Sequence, residues 1–147
     1  MTRNSRHLVT TLGAMIGWLF VALTAAQAQP ATLAAKRADV LGNIQASIVT
    51  TIGAEGQSVK VTSGGTVLIV ARVNSNLNNA NHEGRNNEAK VIAALVAKGI
   101  GGELQFGKIT AIRVDYLARS APTLKSKTID SVEFRKDPDG AFGLHQT

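Results

Sequence analysis

Between Thr66 and Gly99 the chain changes character twice, and that change limits what it can fold into. Thr66 to Val73 is an apolar strand. Asn74 to Asn87 is a loop crowded with seven asparagines together with His82, Glu83 and Arg85, and a short amphipathic helix closed by Gly99 follows. A strand feeding a helix in this way calls for a helix layer packed on a sheet. It also places polar groups at a strand end and a helix start, where backbone N–H groups and side chains most often meet a ligand. Asn76, Asn78, Asn81, His82 and Arg85 are therefore the candidate ligand-binding residues.

The flanking segments supply the rest of such a fold. From Thr32 to Ile52, Leu33, Val40, Leu41, Ile44, Ile48 and Ile52 recur at helical spacing, and Gly53 stops the run. A hairpin comes next. With Ser63-Gly64-Gly65 as a three-residue loop, Val61 faces Val67 and Val59 faces Ile69. Arg72 then joins Lys60 and Thr62 on the outer side, which avoids burying a guanidinium but leaves Leu68 and Val70 there too. In the second helix Ala89, Val91, Ile92, Leu95 and Val96 form the inner face. Gly99 fits the left-handed position just past the helix end, and Asn81, Asn86 and Asn87 are each able to cap its start.

The last third reads as strands. Over Lys108 to Arg119 one face is Thr110, Ile112, Val114, Tyr116 and Ala118, and the other is Ile109, Ala111, Arg113, Asp115, Leu117 and Arg119. Ala121 to Lys127 is a connecting loop. Lys127 to Lys136 places Val132 and Phe134 inward, Asp137-Pro138-Asp139-Gly140 is a turn, and a final strand from Ala141 to His145 places Phe142 and Leu144 inward. The expected order is α-β-β-α-β-β-β. It implies an α+β two-layer sandwich, with an antiparallel or mixed sheet of about four or five strands and two helices on one face. The uncovered face is then a candidate interface made of Leu68, Val70, Arg72, Arg113, Leu117, Arg119, Ile129 and Arg135.

Composition narrows the function classes. The chain has 147 residues, 44% of them apolar, enough for one domain with its own core. There is no cysteine, which excludes disulfides, thiolate metal sites, a thiol nucleophile and a lipoprotein anchor. Residues 1–28 read as an export signal: Arg3, Arg6 and His7 lead an apolar run from Leu8 to Leu23, and Ala26-Gln27-Ala28 is the small-x-small cleavage pattern. Cleavage after Ala28 would deliver residues 29–147 as a single domain to the periplasm or the medium, without a stable membrane span. It would also reduce the net charge from +6 to +4, leaving 14 basic and 10 acidic residues. So mild a balance, with no basic block, suits an anionic envelope polymer better than nucleic acid.

Chemistry is sparse. His82 with Glu83 or Glu88 is the sole acid–base nucleus, and adjacent His82 and Glu83 diverge on a helix, so no catalytic residue, metal site or cofactor is assigned. Asparagine amides, which donate and accept at once, do suit carbohydrate hydroxyls. The pattern Arg72-Val73-Asn74, then Asn81, Ala89 and Val91 to Gly99-Ile100 resembles the strand-loop-helix of the peptidoglycan-binding domain of OmpA-type proteins, over about a quarter of the chain. The spacing is one or two residues short. Asn74 and Glu88 stand nearest the family's ligand-contacting aspartate and arginine, so the resemblance implies a shared supersecondary unit and not the ligand pair. As a whole the chain resembles small exported bacterial proteins with no assigned function, which implies only the compartment. The expected function is an exported, non-catalytic binding or interaction module using the open sheet face, with a second copy or an anionic polymer as partner. The alternatives are a small envelope enzyme centred on the loop Asn74 to Glu88 and a divergent cell-wall-binding protein.

Overall fold

In the computed structural model the backbone is described for residues 10–119 and 126–145, and side chains from residue 31 onward. The expected signal segment therefore lies outside the described residues up to residue 9, and outside the described side chains thereafter. Residues 120–125 of the expected loop Ala121 to Lys127 lie outside as well. The chain divides after Arg37 into two units, and the unit from Ala38 onward holds the whole sheet. The helix expected over Thr32–Ile52 is the C-terminal part of α1, Thr10–Ile52. Gly53 ends it with a φ of 62°, and the Ala54 N–H reaches back to the Val49 carbonyl at 3.0 Å, a Schellman closure. Among the described residues no helix is long and apolar enough to cross a membrane.

The remaining elements are β1 (Val59–Gly64), β2 (Val67–Val73), α2 (His82–Ile100), β3 (Ala111–Ala118), β4 (Lys127–Lys136) and β5 (Phe142–His145), with short 3-10 turns at Gly56–Ser58, Asn76–Asn79 and Leu104–Phe106. This is the α+β order expected. The sheet is mixed, with spatial order β1-β2-β3-β4-β5. Only β2 and β3 run parallel, because α2 carries the chain back between them. Ile44 and Ile48 of α1 and Ala89, Ile92, Ala93 and Val96 of α2 pack on one sheet face, against Val59, Val61, Leu68, Val70, Ile112, Val114, Tyr116, Val132 and Phe134. At the β1 edge, Gln45 of α1 accepts a hydrogen bond from the Val61 N–H at 3.3 Å, so part of that edge is capped.

The hairpin register differs from the sequence expectation. Gly64 pairs with Val67 and Val59 with Arg72, so the connection is the two-residue turn Gly65-Thr66, with glycine supplying the φ of 60° at its first central position. A register change that alters parity moves every β2 side chain to the opposite face. Leu68, Val70 and Arg72 are consequently in the core, at 0%, 0% and 4% exposure, and do not belong to an interface on the open face. Val67, Ile69, Ala71 and Val73 face outward and are half-buried.

Three further expectations are corrected. Gly99 lies inside α2 and not beyond it: a Cβ there would sit 2.8 Å from Cδ1 of Ile44 and closer still to its Cγ1, so the missing side chain lets α1 approach. The left-handed glycine after the helix is Gly102, with a φ of 83°. Val91 is exposed on α2 because its helical face points away from the sheet. Ile109, expected on the charged side of β3, is buried, since the chain enters the strand only at Ala111 after a 3-10 turn.

Candidate functional site

Helix α2 begins at His82, earlier than an Asn74 to Asn87 loop allows, because the Asn81 side chain accepts the Gly84 N–H at 2.9 Å and caps the helix. His82, Arg85 and Glu88 then fall three residues apart on one helical flank, over the C-terminal ends of β2 and β3. There they meet side chains that face the helix. Arg72 Nε donates to Glu88 Oε1 at 3.0 Å, while Nη1 reaches Ser58 Oγ at 3.0 Å and Nη2 reaches Ser75 Oγ at 3.3 Å. The Tyr116 hydroxyl lies 2.9 Å from the Arg85 carbonyl and 3.1 Å from Glu88 Oε1. Burial first, then the Glu88 carboxylate beside it, pushes the phenol far above its ordinary pKa, so it remains a donor.

Arg85 and His82 turn toward β4. Arg85 Nε donates to Asp130 Oδ2 at 2.7 Å, and its Nη1 donates to the carbonyls of Leu77 and Ala80. His82 Nδ1 contacts the same carboxylate oxygen at 2.7 Å from a side chain that is 61% exposed. Burial alone would raise the Asp130 carboxyl, but hydrogen bonds from Arg85, His82 and the Ser131 N–H outweigh it and hold the group below its ordinary value. A β-bulge makes this possible: Asp130 pairs with Tyr116 and Thr128 with Leu117, and Ile129 between them is left exposed.

The five candidate ligand residues therefore separate. Asn78 donates its amide to the Leu117 carbonyl at 3.1 Å, Asn81 caps α2, and Arg85 ties the loop to β4, so these three hold the loop in place. His82 stays exposed beside Asp130. Asn76 alone lines a cleft, of about 460 Å³, where the C-terminal ends of β2 and β3 meet the segment entering β1. Ile52, Gly53, Glu55, Gln57, Ser58, Arg72, Val73, Asn74, Ser75 and Arg119 complete its walls. Asn74 is fixed there with a φ of 51°, its N–H bonded to the Leu117 carbonyl at 2.8 Å and its Oδ1 accepting the Arg119 N–H at 2.7 Å. Sequence reasoning missed Glu55, Gln57, Ser58 and Ser75. The signal available was the three-residue spacing of His82, Arg85 and Glu88, which marks a polar flank needing polar partners on the sheet.

On the open face the strands align in register. Ile69 pairs with Arg113, Ala71 with Asp115 and Val73 with Leu117, while Arg113 pairs onward with Glu133 and Asp115 with Ser131. Arg113 Nε bonds Asp115 at 3.0 Å and Arg135 Nε bonds Glu133 at 2.9 Å. Of the expected interface residues, Arg113, Leu117 and Arg135 lie on this face, and Arg119 lies at the cleft. Among the described residues no group of three or more histidine, aspartate or glutamate side chains is placed to hold a metal ion. No family model, curated protein or solved structure matches the chain.

Proposed function

We propose that this protein is an exported, non-catalytic interaction module that pairs with a second copy of itself through the uncovered face of its sheet. The observation that carries the reading is the row Val67, Ile69, Ala71 and Val73 on β2, beside Leu117 on β3, on the face opposite both helices. Apolar side chains contiguous across neighbouring strands mark an interface more than scattered ones do. Most of the charges beside them are internally paired, Arg113 with Asp115 and Arg135 with Glu133, and Lys60 beside Ala71 adds one positive charge with no ion pair among the described residues. A face with alternating signs is complementary to itself across a two-fold axis, where each arginine meets a carboxylate of the other copy. A polyanion would instead compete with Asp115 and Glu133 for the same guanidinium groups.

Sedimentation of the wild type and of Ile69→Lys at low and high salt tests this. The wild type is expected to dimerise at both salt concentrations and Ile69→Lys to sediment as a monomer. A monomeric wild type would overturn the reading. Binding to a soluble polyanion that falls steeply with salt would replace the second copy with an anionic polymer.

A further inference from the structure

The cleft at the ends of β2 and β3 is separate from the open face, and its chemistry points to a small ligand. Its walls are mostly polar, and two of its side chains are arginines in different states. Arg72 at the floor is 4% exposed and neutralised by Glu88; one N–H of its Nη1 has no acceptor among the described residues. Arg119 at the rim is exposed and makes no ion pair among the described residues, although its backbone is fixed by Asn74. Arg119 is the one guanidinium of the cleft without an ion-pair partner among the described residues and can take a single carboxylate, while Glu55 on the same wall opposes further negative charge. A compact dianion would also meet Glu55 on the wall and Glu88 behind the floor. Gln57 and Asn76 offer amides that donate and accept together, and the Glu55 side chain adds acceptor oxygens, a set that matches hydroxyl groups and not a hydrocarbon tail.

We infer that this cleft binds a hydroxylated monocarboxylate of sugar-acid type. Arg119 pairs with the carboxylate through two parallel hydrogen bonds, Gln57, Asn76 and Glu55 hold the hydroxyls, and the free Nη1 hydrogen of Arg72 donates at the floor. Arg72 is pre-positioned by Ser58, Ser75 and Glu88, so the ligand finds that donor in place.

Titration calorimetry on the full chain with gluconate and glucuronate tests the inference, with glucose, hexanoate and inorganic phosphate as probes that lack the carboxylate, lack the hydroxyls or carry extra charge. At least one sugar acid is expected to bind about ten-fold or more tightly than any of the three controls, and Arg119→Ala to weaken it by about ten-fold or more. Gln57→Ala with Asn76→Ala is expected to weaken the sugar acid while leaving hexanoate unaffected. Ile69→Lys, on the open face, is expected to leave binding unchanged, so this result stands or falls apart from self-association. Absence of binding by both sugar acids, equal binding of phosphate or hexanoate, or full retention in Arg119→Ala with an unchanged circular dichroism spectrum would each overturn it.

Discussion

Arg72 of β2 and Glu88 of α2, sixteen residues apart in the chain, meet at 3.0 Å with their side chains only 5% and 13% exposed. This pair decides the hairpin register. Arg72 faces the core with Val59 and Val61 because the carboxylate, Ser58 and Ser75 take up all but one of its donors. Removing one member of a buried pair leaves an uncompensated charge and costs about 3–5 kcal/mol, whereas exchanging both for apolar residues is often neutral. Arg72→Leu and Glu88→Leu are each expected to lower the urea midpoint sharply, and the double variant to lose less than either. Additive losses in urea titrations would show that the two side chains do not act as a pair.

Gly99 marks where α1 crosses α2. In an exposed helix, glycine to alanine stabilises by about 1 kcal/mol. Here the new Cβ would lie 2.8 Å from Ile44 Cδ1 and closer to Cγ1, and overpacking of this kind costs about 1–3 kcal/mol. Gly99→Ala is expected to destabilise, and to cost less in an Ile44→Ala background, where the nearest blocking atoms are gone. Stabilisation by Gly99→Ala alone, measured by thermal melting, would contradict the contact.

Asp130 links stability to pH. Its carboxyl is held below the ordinary 3.8 in the folded protein, so its contribution is complete above that value and is lost as the pH falls through it toward the folded value. Stability of the wild type is expected to drop below about pH 4, and Asp130→Asn to flatten that acid limb. Arg85→Ala removes one of the two side chains that hold Asp130 at 2.7 Å and takes its donor from the Ala80 carbonyl, while the Leu77 carbonyl keeps the Ala80 N–H at 3.0 Å, at a cost of about 1–3 kcal/mol. His82→Ala, at an exposed position, is expected to cost less than about 1 kcal/mol. Urea midpoints across the acid range check all three.

Export with cleavage would leave its mark at the N-terminus. Ala26-Gln27-Ala28 following an apolar run predicts that the protein recovered from the envelope fraction begins at Gln29. Intact mass spectrometry reads this directly. A chain starting at Met1 and retained in the membrane would replace cleavage with anchoring.

Some of this protein was legible in its residues because the relevant signals are local. The stop at Gly53, the alternation through β3 and β4 and the turn at Asp137 to Gly140 depend on backbone preferences and on period, which neighbours in sequence determine. The order of elements and the α+β class followed from these. What only the tertiary structure decided was where non-local partners existed. Treated as solitary, the Arg72 guanidinium belongs in water, and that assumption turned β2 over and sent Leu68 and Val70 to the wrong face. Gly99 taken as a stop ignored Ile44, and the asparagine loop taken as ligand-binding ignored the Leu117 carbonyl and Asp130 waiting across the fold. A charge or amide is costly to bury only until a partner is supplied, and here the partners come from elements 16 to 45 residues away, beyond the reach of any local pattern.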